Sequence, residues 1–363
     1  MRAAHATLYQ YSIPFTEPVT VKGRRLTGRD GLLLALKNQD GQLVGYGEIA
    51  PLPGLHSETL EAAEGQLVAL LSEHDFSRSG KLPLKLYPSV RTGVEMAMIN
   101  LDAAEAGGTL PFTALPPEAR QGSQLPNVPL NGLLFGDTMQ VLERADKLFR
   151  AGYRAFKLKV TATNLPVSAE TIIELHRAYG SGIELRLDLN QSLSLDEAVA
   201  FARTIPLDSV AYIEEPLKQP ELIGEFHDRT GILSALDETL WQQPELLEKL
   251  PRESLQALIL KPNRIGGIYA AMSLAALALE KNLLAVFSSA FESGVSLGFY
   301  AMLAAAASPT PAACGLDTFR YLKHDLLETP FGSKNARLDA EALYGNSLAV
   351  DRQMIRQESR WTL

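Results

Sequence analysis

Five ionisable side chains close short apolar runs in the second half of the chain. They are Lys159 in Ala155-Phe-Lys-Leu-Lys-Val, Asp188 in Leu185-Arg-Leu-Asp-Leu, Glu214 in Tyr212-Ile-Glu-Glu-Pro, Asp237 in Leu236-Asp-Glu and Lys261 in Leu258-Ile-Leu-Lys-Pro. A charge buried in such a run is expensive unless it is paired or bound to a metal. Three carboxylates converging on one point repel one another and demand a cation. The all-oxygen set Asp188, Glu214 and Asp237 favours Mg²⁺, with Mn²⁺ as the alternative, over zinc or copper. None of the six histidines falls in these runs. Lys157 and Lys159, two residues apart on a strand, share one face. Beside a dication both should have depressed pKa values, through like charge and desolvation, leaving a neutral lysine as base. The predicted chemistry is removal of a proton next to a carboxylate, with the metal neutralising the enediolate that forms. Lys159 and Lys261 are the candidate catalytic residues, on opposite sides of that intermediate. Taken singly, Asp188 or Asp237 reads equally well as the N-cap of a following helix. Five such residues at consecutive strand ends point instead to a site at the C-terminal mouth of a barrel.

Other residues fall close by in sequence. Asn190, two residues past Asp188, is placed either to orient the metal ligands or to make an Asx-turn. Glu215 and Glu238 directly follow proposed ligands and should face away from the metal. Arg186 alternates with Asp188 on the inward face and is expected to pair with the buried carboxylates. Ser288, Ser289 and Glu292 sit where substrate is expected, although Ser289 and Glu292 serve equally as caps of the next helix. Arg264 follows Lys261 by three residues, where a loop arginine is ordinarily solvated. Gly54, Leu55 and His56 read as lid residues or as a surface turn.

The elements that must position these residues divide the chain. From 7 to 48, strand-like runs separated by glycines predict an antiparallel sheet. Helices follow over 57–71 and 89–106, with Ser57 and Ser89 as candidate N-caps. Pro111, Pro116, Pro117 and Pro126 then place a boundary near residue 125. Beyond it, apolar runs alternate with helix-period stretches, predicting eight strands at 128–135, 155–160, 183–189, 210–214, 233–237, 257–261, 284–288 and 312–317. Asn131-Gly-Leu is not a phosphate-binding glycine loop, so an open doubly wound sheet is disfavoured. The expectation is an α+β unit over 1–125, a (β/α) barrel over 126–322 and a polar segment, 323–363, returning to the first unit.

The 363 residues are 46% hydrophobic and 21% charged, ample for a large core. A net charge of −8 without a basic run disfavours nucleic acid as a partner. Cys314, the one cysteine, excludes an internal disulfide and reads as a small buried residue. The first residues lack the apolar stretch of a secretory signal, so the cytoplasm is expected. The least charged stretch, 294–316, contains Pro309 and Pro311 and predicts a buried helix and strand rather than a membrane span. Oligomeric state is left open by the sequence.

These motifs resemble the enolase superfamily, muconate-lactonizing subgroup, over nearly the whole chain. The resemblance rests on Gly45-Tyr-Gly-Glu-Ile-Ala-Pro-Leu-Pro-Gly, similar to a capping loop that closes over substrate, and on Lys157-x-Lys159, Leu185-Arg-Leu-Asp-Leu-Asn, Ile213-Glu-Glu-Pro and Leu236-Asp-Glu. Lys261-Pro-Asn-Arg-Ile-Gly-Gly, Ser288-Ser-Ala-Phe-Glu-Ser-Gly and Gly315-Leu-Asp-Thr complete it. It implies an enolase-like (β/α)7β modified TIM barrel with an N-terminal α+β capping domain, binding a small-molecule carboxylate. Within the subgroup, dipeptide epimerases are expected to carry Asp-x-Asp at the eighth strand, whereas this chain has Asp317-Thr-Phe. The resemblance implies a dehydratase acting on 2-succinyl-6-hydroxy-2,4-cyclohexadiene-1-carboxylate in menaquinone synthesis. N-succinylamino acid racemisation, which an arginine at the position of Arg264 accompanies in relatives, and muconate-type cycloisomerisation are the alternatives.

Overall fold

The computed structural model describes residues 3–73, 82–107 and 125–363. Strands β1 (His5–Val21) and β2 (Arg24–Lys37) form a hairpin whose two turn residues, Lys22 and Gly23, both have positive φ, as a tight right-twisting turn requires. β3 (Val44–Ile49) pairs antiparallel with β2, and α1 (Leu60–Glu73) and α2 (Pro88–Glu105) cover one face. Thr59 caps α1, accepting from the Ala62 amide at 3.1 Å, while Ser57 donates to Glu58. α2 starts at Pro88, which suits a first helical position, and so takes Ser89 inside the helix; the Ser89 hydroxyl donates to Glu58 at 2.7 Å. The cap expected at Ser57 thus falls to Thr59, and the N-cap position of α2 is Tyr87, just ahead of Pro88, rather than Ser89.

The barrel unit begins with β4 (Val128–Pro129) and β5 (Asn131–Leu134) and continues through α3 (Thr138–Arg150), β6 (Ala155–Lys159), α4 (Leu165–Tyr179), β7 (Glu184–Asp188) and α5 (Leu195–Ala202). Next come β8 (Tyr212–Glu214), α6 (Ile223–Thr230), β9 (Ser234–Leu236), α7 (Thr239–Gln242), α8 (Leu246–Lys249), β10 (Leu255–Leu260), α9 (Pro262–Ile265), α10 (Ile268–Glu280), β11 (Leu284–Phe287) and α11 (Gly294–Ala307). Strands β5 to β11 form one parallel sheet in sequence order, so each crossover advances by one strand, as in a barrel. The first predicted strand is split: Val128–Pro129 pairs with a later segment, and the barrel strand starts at Asn131.

Closure comes from residues 312–316. Cys314 bridges to Leu130 and Gly315 to Ser288, with amide bonds from Cys314 to Pro129 O at 2.8 Å and from Gly315 to Phe287 O at 2.9 Å. The predicted eighth strand is thereby reduced to isolated bridges. Pro309 and Pro311 remove amide donors just ahead of it, and the chain enters a 3₁₀ turn at Asp317–Tyr321, leaving only a short run to pair. Cys314 is buried, as is every residue of α11, and no helix among the described residues is long and apolar enough to cross a membrane.

β12 (Arg337–Leu338) pairs with β4, α12 (Ala340–Ser347) packs on α11, and β13 (Arg356–Thr362) adds to β1, completing the sheet order β13-β1-β2-β3. The C-terminal segment therefore touches both units. Pro111, Pro116 and Pro117 lie outside the described residues.

The Gly45-Tyr-Gly-Glu-Ile half of the expected capping loop is strand β3, and its glycines serve packing. A Cβ on Gly47 would lie 1.8 Å from Gly93 O of α2, and one on Gly45 2.1 Å from Ala97 O. Strand and helix backbones meet there without side chains between them. Gly47→Ala should lower unfolding stability in urea by about 1–3 kcal/mol, the usual cost of overpacking. A variant as stable as the parent would show that this contact is loose.

Candidate active site

Register sets the site. Lys159 pairs across the sheet with Asp188, and Asp188 with Glu214, so all three stand level at the strand ends. Glu214 pairs with Ala235, which puts Asp237 just beyond, and Lys261 follows the last residue of β10. Lys157 Nζ lies 2.8 Å from Asp188 Oδ2 and 2.7 Å from Glu214 Oε1. Lys159 Nζ lies 2.5 Å from Asp188 Oδ2 and donates to Asn190 Oδ1 at 2.8 Å, and Lys261 pairs with Asp237. The three carboxylates are buried, while the Lys159 side chain is 40% exposed against 16% for Lys157 and 12% for Lys261. Lys159 is thus the ammonium that opens to an incoming molecule.

Charge is shared unevenly. Burial raises the Asp188 pKa, but two ammonium groups outweigh it and hold the carboxyl well below its usual range. Glu214 shares one of those ammoniums, so burial and the Asp188 charge prevail and push it up to about 7. Burial and the neighbouring Glu238 raise Asp237 despite Lys261. For Lys157 and Lys261, burial lowers the pKa, yet the adjacent carboxylates win and hold both above the ordinary value. The depressed pKa expected for Lys157 beside a dication is therefore reversed where its neighbours are carboxylates alone.

The donor set fits a hard cation. Asp237 Oδ1 is buried with no hydrogen-bond partner among the described residues, an acceptor that costs stability unless something satisfies it. As placed, the carboxylates surround ammonium groups rather than one point: no group of three or more acidic, His or Cys side chains among the described residues lies close enough to hold an ion. Gathering the carboxylates on a dication would require releasing the lysine contacts.

The neighbouring residues sort themselves by contact. Asn190, at φ 43°, bridges Lys159 and Glu238, donating to Glu238 Oε1 at 3.1 Å; its own amide donates to Asp188 Oδ1 at 3.1 Å, so the Asx-type turn belongs to Asp188. Glu215 turns away, accepting from the Asp237 and Thr239 amides at 2.7 Å and from Thr239 Oγ1 at 2.8 Å, and so ties β8 to β9. Glu238 lies nearer the site than strand alternation predicts, because the chain has already turned helical after Leu236. Arg186 does not pair with Asp188, Glu214 or Asp237: its guanidinium bonds Glu184 and Ala313 O at 2.7 Å each. Arg186 Nη2 and Tyr212 Oη have no partner among the described residues and stand in the wall of a small chamber that Lys157, Glu214 and Ser288 also line.

Ser289 donates to Gly315 O at 3.0 Å and meets Thr318 Oγ1 at 2.8 Å, while Ser288 makes only a 3.5 Å contact to the same carbonyl. Neither Ser289 nor Glu292 caps the next helix. Ser293 does, and Glu48 of the cap sheet accepts from the Ser293 amide and hydroxyl and from the Ser296 amide. Glu292 instead accepts from Asn263 and the Ala290 amide. Arg264 is half-buried over the Trp241 ring at 4.8 Å, not solvated, and Arg264 Nε and Trp241 Nε1 are both buried without partners among the described residues. Trp241 lay outside every motif quoted from the sequence, while Tyr212, Asn263 and Glu48 lay inside such motifs with no role assigned to them. His56 is buried against the barrel, so it is not a surface turn. Asp317 is engaged by Arg320.

A parallel barrel carrying three carboxylates and flanking lysines at its C-terminal mouth, beneath an α+β cap, is the architecture of the enolase superfamily. The family model described as enolase C-terminal domain-like matches residues 140–354, and the one described as MenC, N-terminal domain, matches residues 1–101. The o-succinylbenzoate synthase of Pasteurella multocida is 31% identical over 356 residues, covering 95% of this chain and 98% of that one. Protein PHYLLO, chloroplastic, of Arabidopsis thaliana is 33% identical over 84% of this chain, which spans only 20% of PHYLLO. Among solved structures, an enolase superfamily member from Roseovarius nubinhibens complexed with magnesium superposes with a TM-score of 0.82 at 17% identity, covering all of both chains. This chain belongs to the o-succinylbenzoate synthase family of the enolase superfamily.

Burial pushes the Glu292 carboxyl up from 4.5 to about 7, so the folded protein binds that proton more tightly than the unfolded chain. The contribution is present below pH 4.5 and lost as pH rises through about 7. Glu292→Gln should therefore gain stability relative to wild type across that window, as read by denaturant melts at several pH values. A constant difference would mean that Glu292 does not titrate there.

Proposed function

We propose that this chain is an o-succinylbenzoate synthase, eliminating water from 2-succinyl-6-hydroxy-2,4-cyclohexadiene-1-carboxylate in menaquinone synthesis, as a cytoplasmic enzyme. The observation that carries the reading is Lys159, the most open of three lysines set around a buried carboxylate triad, in a chain matched end to end by relatives of that name. Asp188, Glu214 and Asp237 would hold Mg²⁺, which supplies Lewis-acid stabilisation for a substrate carboxylate. Lys159 Nζ, as the free amine, takes the proton α to the ring carboxylate: the C–H bond breaks, an N–H bond forms, and the electron pair passes into the carboxylate. The same proton then goes to the departing hydroxyl as the C–O bond breaks. Water leaves, the ring becomes aromatic and Lys159 is again neutral. Lys261, across the mouth from Lys159, is the cation that faces the other side of the enediolate, and Asn190, bonded to Lys159 Nζ, steadies that lysine between its two roles.

A second reading, racemisation of N-succinylamino acids, is favoured by one observation, the placement of Arg264 on Trp241 instead of in solvent. Racemisation needs Lys159 and Lys261 as exchanging bases, whereas dehydration uses one.

Turnover of both substrates with Mg²⁺ decides between them. Wild type should dehydrate, and Lys159→Ala should lose about 10²–10⁴-fold in kcat, the range for general acid–base catalysis. Efficient racemisation without dehydration would move the function to the second reading. Chelation should abolish turnover, Mg²⁺ should restore it, and Mn²⁺ should substitute. In calorimetry Asp237→Asn should weaken Mg²⁺ binding; unchanged affinity would remove Asp237 from the ligand set.

A further inference from the structure

His56, Thr92 and Glu95 belong to the capping unit, yet each is bonded to the segment after Lys261: His56 and Thr92 to the turn at Pro262 and Asn263, and Glu95 to the first residues of α10, which that turn leads into. Helix α10 has no side-chain cap at Gly267. Glu95 supplies the acceptor from α2: its Oε2 takes the Ile268 amide at 2.7 Å and the Tyr269 amide at 3.2 Å. A carboxylate suits that end of a helix dipole. Gly267, at φ +123°, lets it in, since a Cβ there would lie 2.4 Å from Glu95 Oε2. Thr92 Oγ1, one turn earlier on α2, lies 2.9 Å from Pro262 O. His56 Nδ1 accepts from the Leu52 amide at 2.9 Å, so its proton sits on Nε2 and is donated to Asn263 O at 3.0 Å. Burial keeps the His56 ring neutral, with its pKa lowered to about 4.

The gripped turn leads straight back to the lysine. Lys261 O accepts from the Arg264 amide at 2.8 Å and the Ile265 amide at 2.9 Å, closing one rigid loop. We propose that the capping unit positions Lys261 through this three-point clamp, so that seating of the cap and placement of the Lys261 ammonium are one event. His56, Thr92 and Glu95 are positioning residues, bonded to the backbone of the turn and of the first residues of α10. The inference rests on the dehydratase reading above for what Lys261 does, though not for how it is held.

The full-length, Mg²⁺-loaded protein supplies the test. Glu95→Ala should lower kcat for dehydration about 10²-fold, the loss expected for a ~1 Å misplacement, with little change in KM. Glu95→Gln, which keeps an acceptor oxygen, should recover most of that loss. In a Lys261→Arg background, Glu95→Ala should cost no more than about twofold, because what it positions is gone. An equal loss in both backgrounds would overturn the proposal. A second arm needs no turnover: acetic anhydride labelling of Lys261, mapped by peptide mass spectrometry with Lys157 as reference. Glu95→Ala should change the Lys261 rate several-fold and leave Lys157 alone; an unchanged Lys261 rate overturns the clamp. This arm decides where residual turnover is too low to read. A wild type that labels as expected but does not dehydrate overturns the functional reading alone. Thr92→Val, read in the same assays, replaces Glu95→Ala if that variant does not fold.

Discussion

The structure turns on the burial of Asp188, Glu214 and Asp237 at adjacent strand ends, where each is almost wholly shielded from water. Like charges in a low-dielectric mouth are tolerated only with counter-charge at hand. Lys157, Lys159 and Lys261 supply it here. The same cost makes the site responsive, because an arriving dication competes with ammonium groups for the same oxygens and so changes what the lysines are bonded to. A barrel is suited to this balance. Its parallel strands deliver residues to the mouth, and the register that levels Lys159, Asp188 and Glu214 is held by the backbone ladder between their strands.

The cap is joined to the barrel by polar contacts as much as by apolar packing. Glu48 reaches from β3 to cap α11, and Glu95 reaches from α2 to cap α10, so two barrel helices take N-terminal acceptors from the other unit. Arg29, itself buried, donates to Phe291 O and to cap-loop carbonyls. Phe15 packs edge-on to Phe291 at 5.5 Å. These bonds converge on the turns after β10 and β11, beside Lys261 and the Ser288–Glu292 stretch. The cap thus shares in holding the turns that flank the site.

What was legible in the sequence had local causes. Apolar runs ending in a charge marked the strands and the five central residues, because burying such a charge has few explanations. The caps were misplaced because Ser57, Thr59 and Ser89 carry similar chemistry, and Pro88 decides the start of α2 by fixing φ. Arg186 faces inward, as its alternation with Asp188 implies, but reaches Glu184 and Ala313 instead of the central carboxylates. Arg264 stacks on a tryptophan from α7 that no spacing rule connects to it.

The sequence by itself determined the alternation of strands and helices, the five charged strand ends and hence the class of chemistry, because these depend on residue type and on periods of two and 3.6. The tertiary structure alone decided which ammonium faces outward and which of the three carboxyls is held low by two ammonium groups and which is raised by burial. It also decided which cap residues grip the turn behind Lys261. Those outcomes depend on distances between residues up to about two hundred positions apart, which only the closed barrel and the seated cap bring into contact.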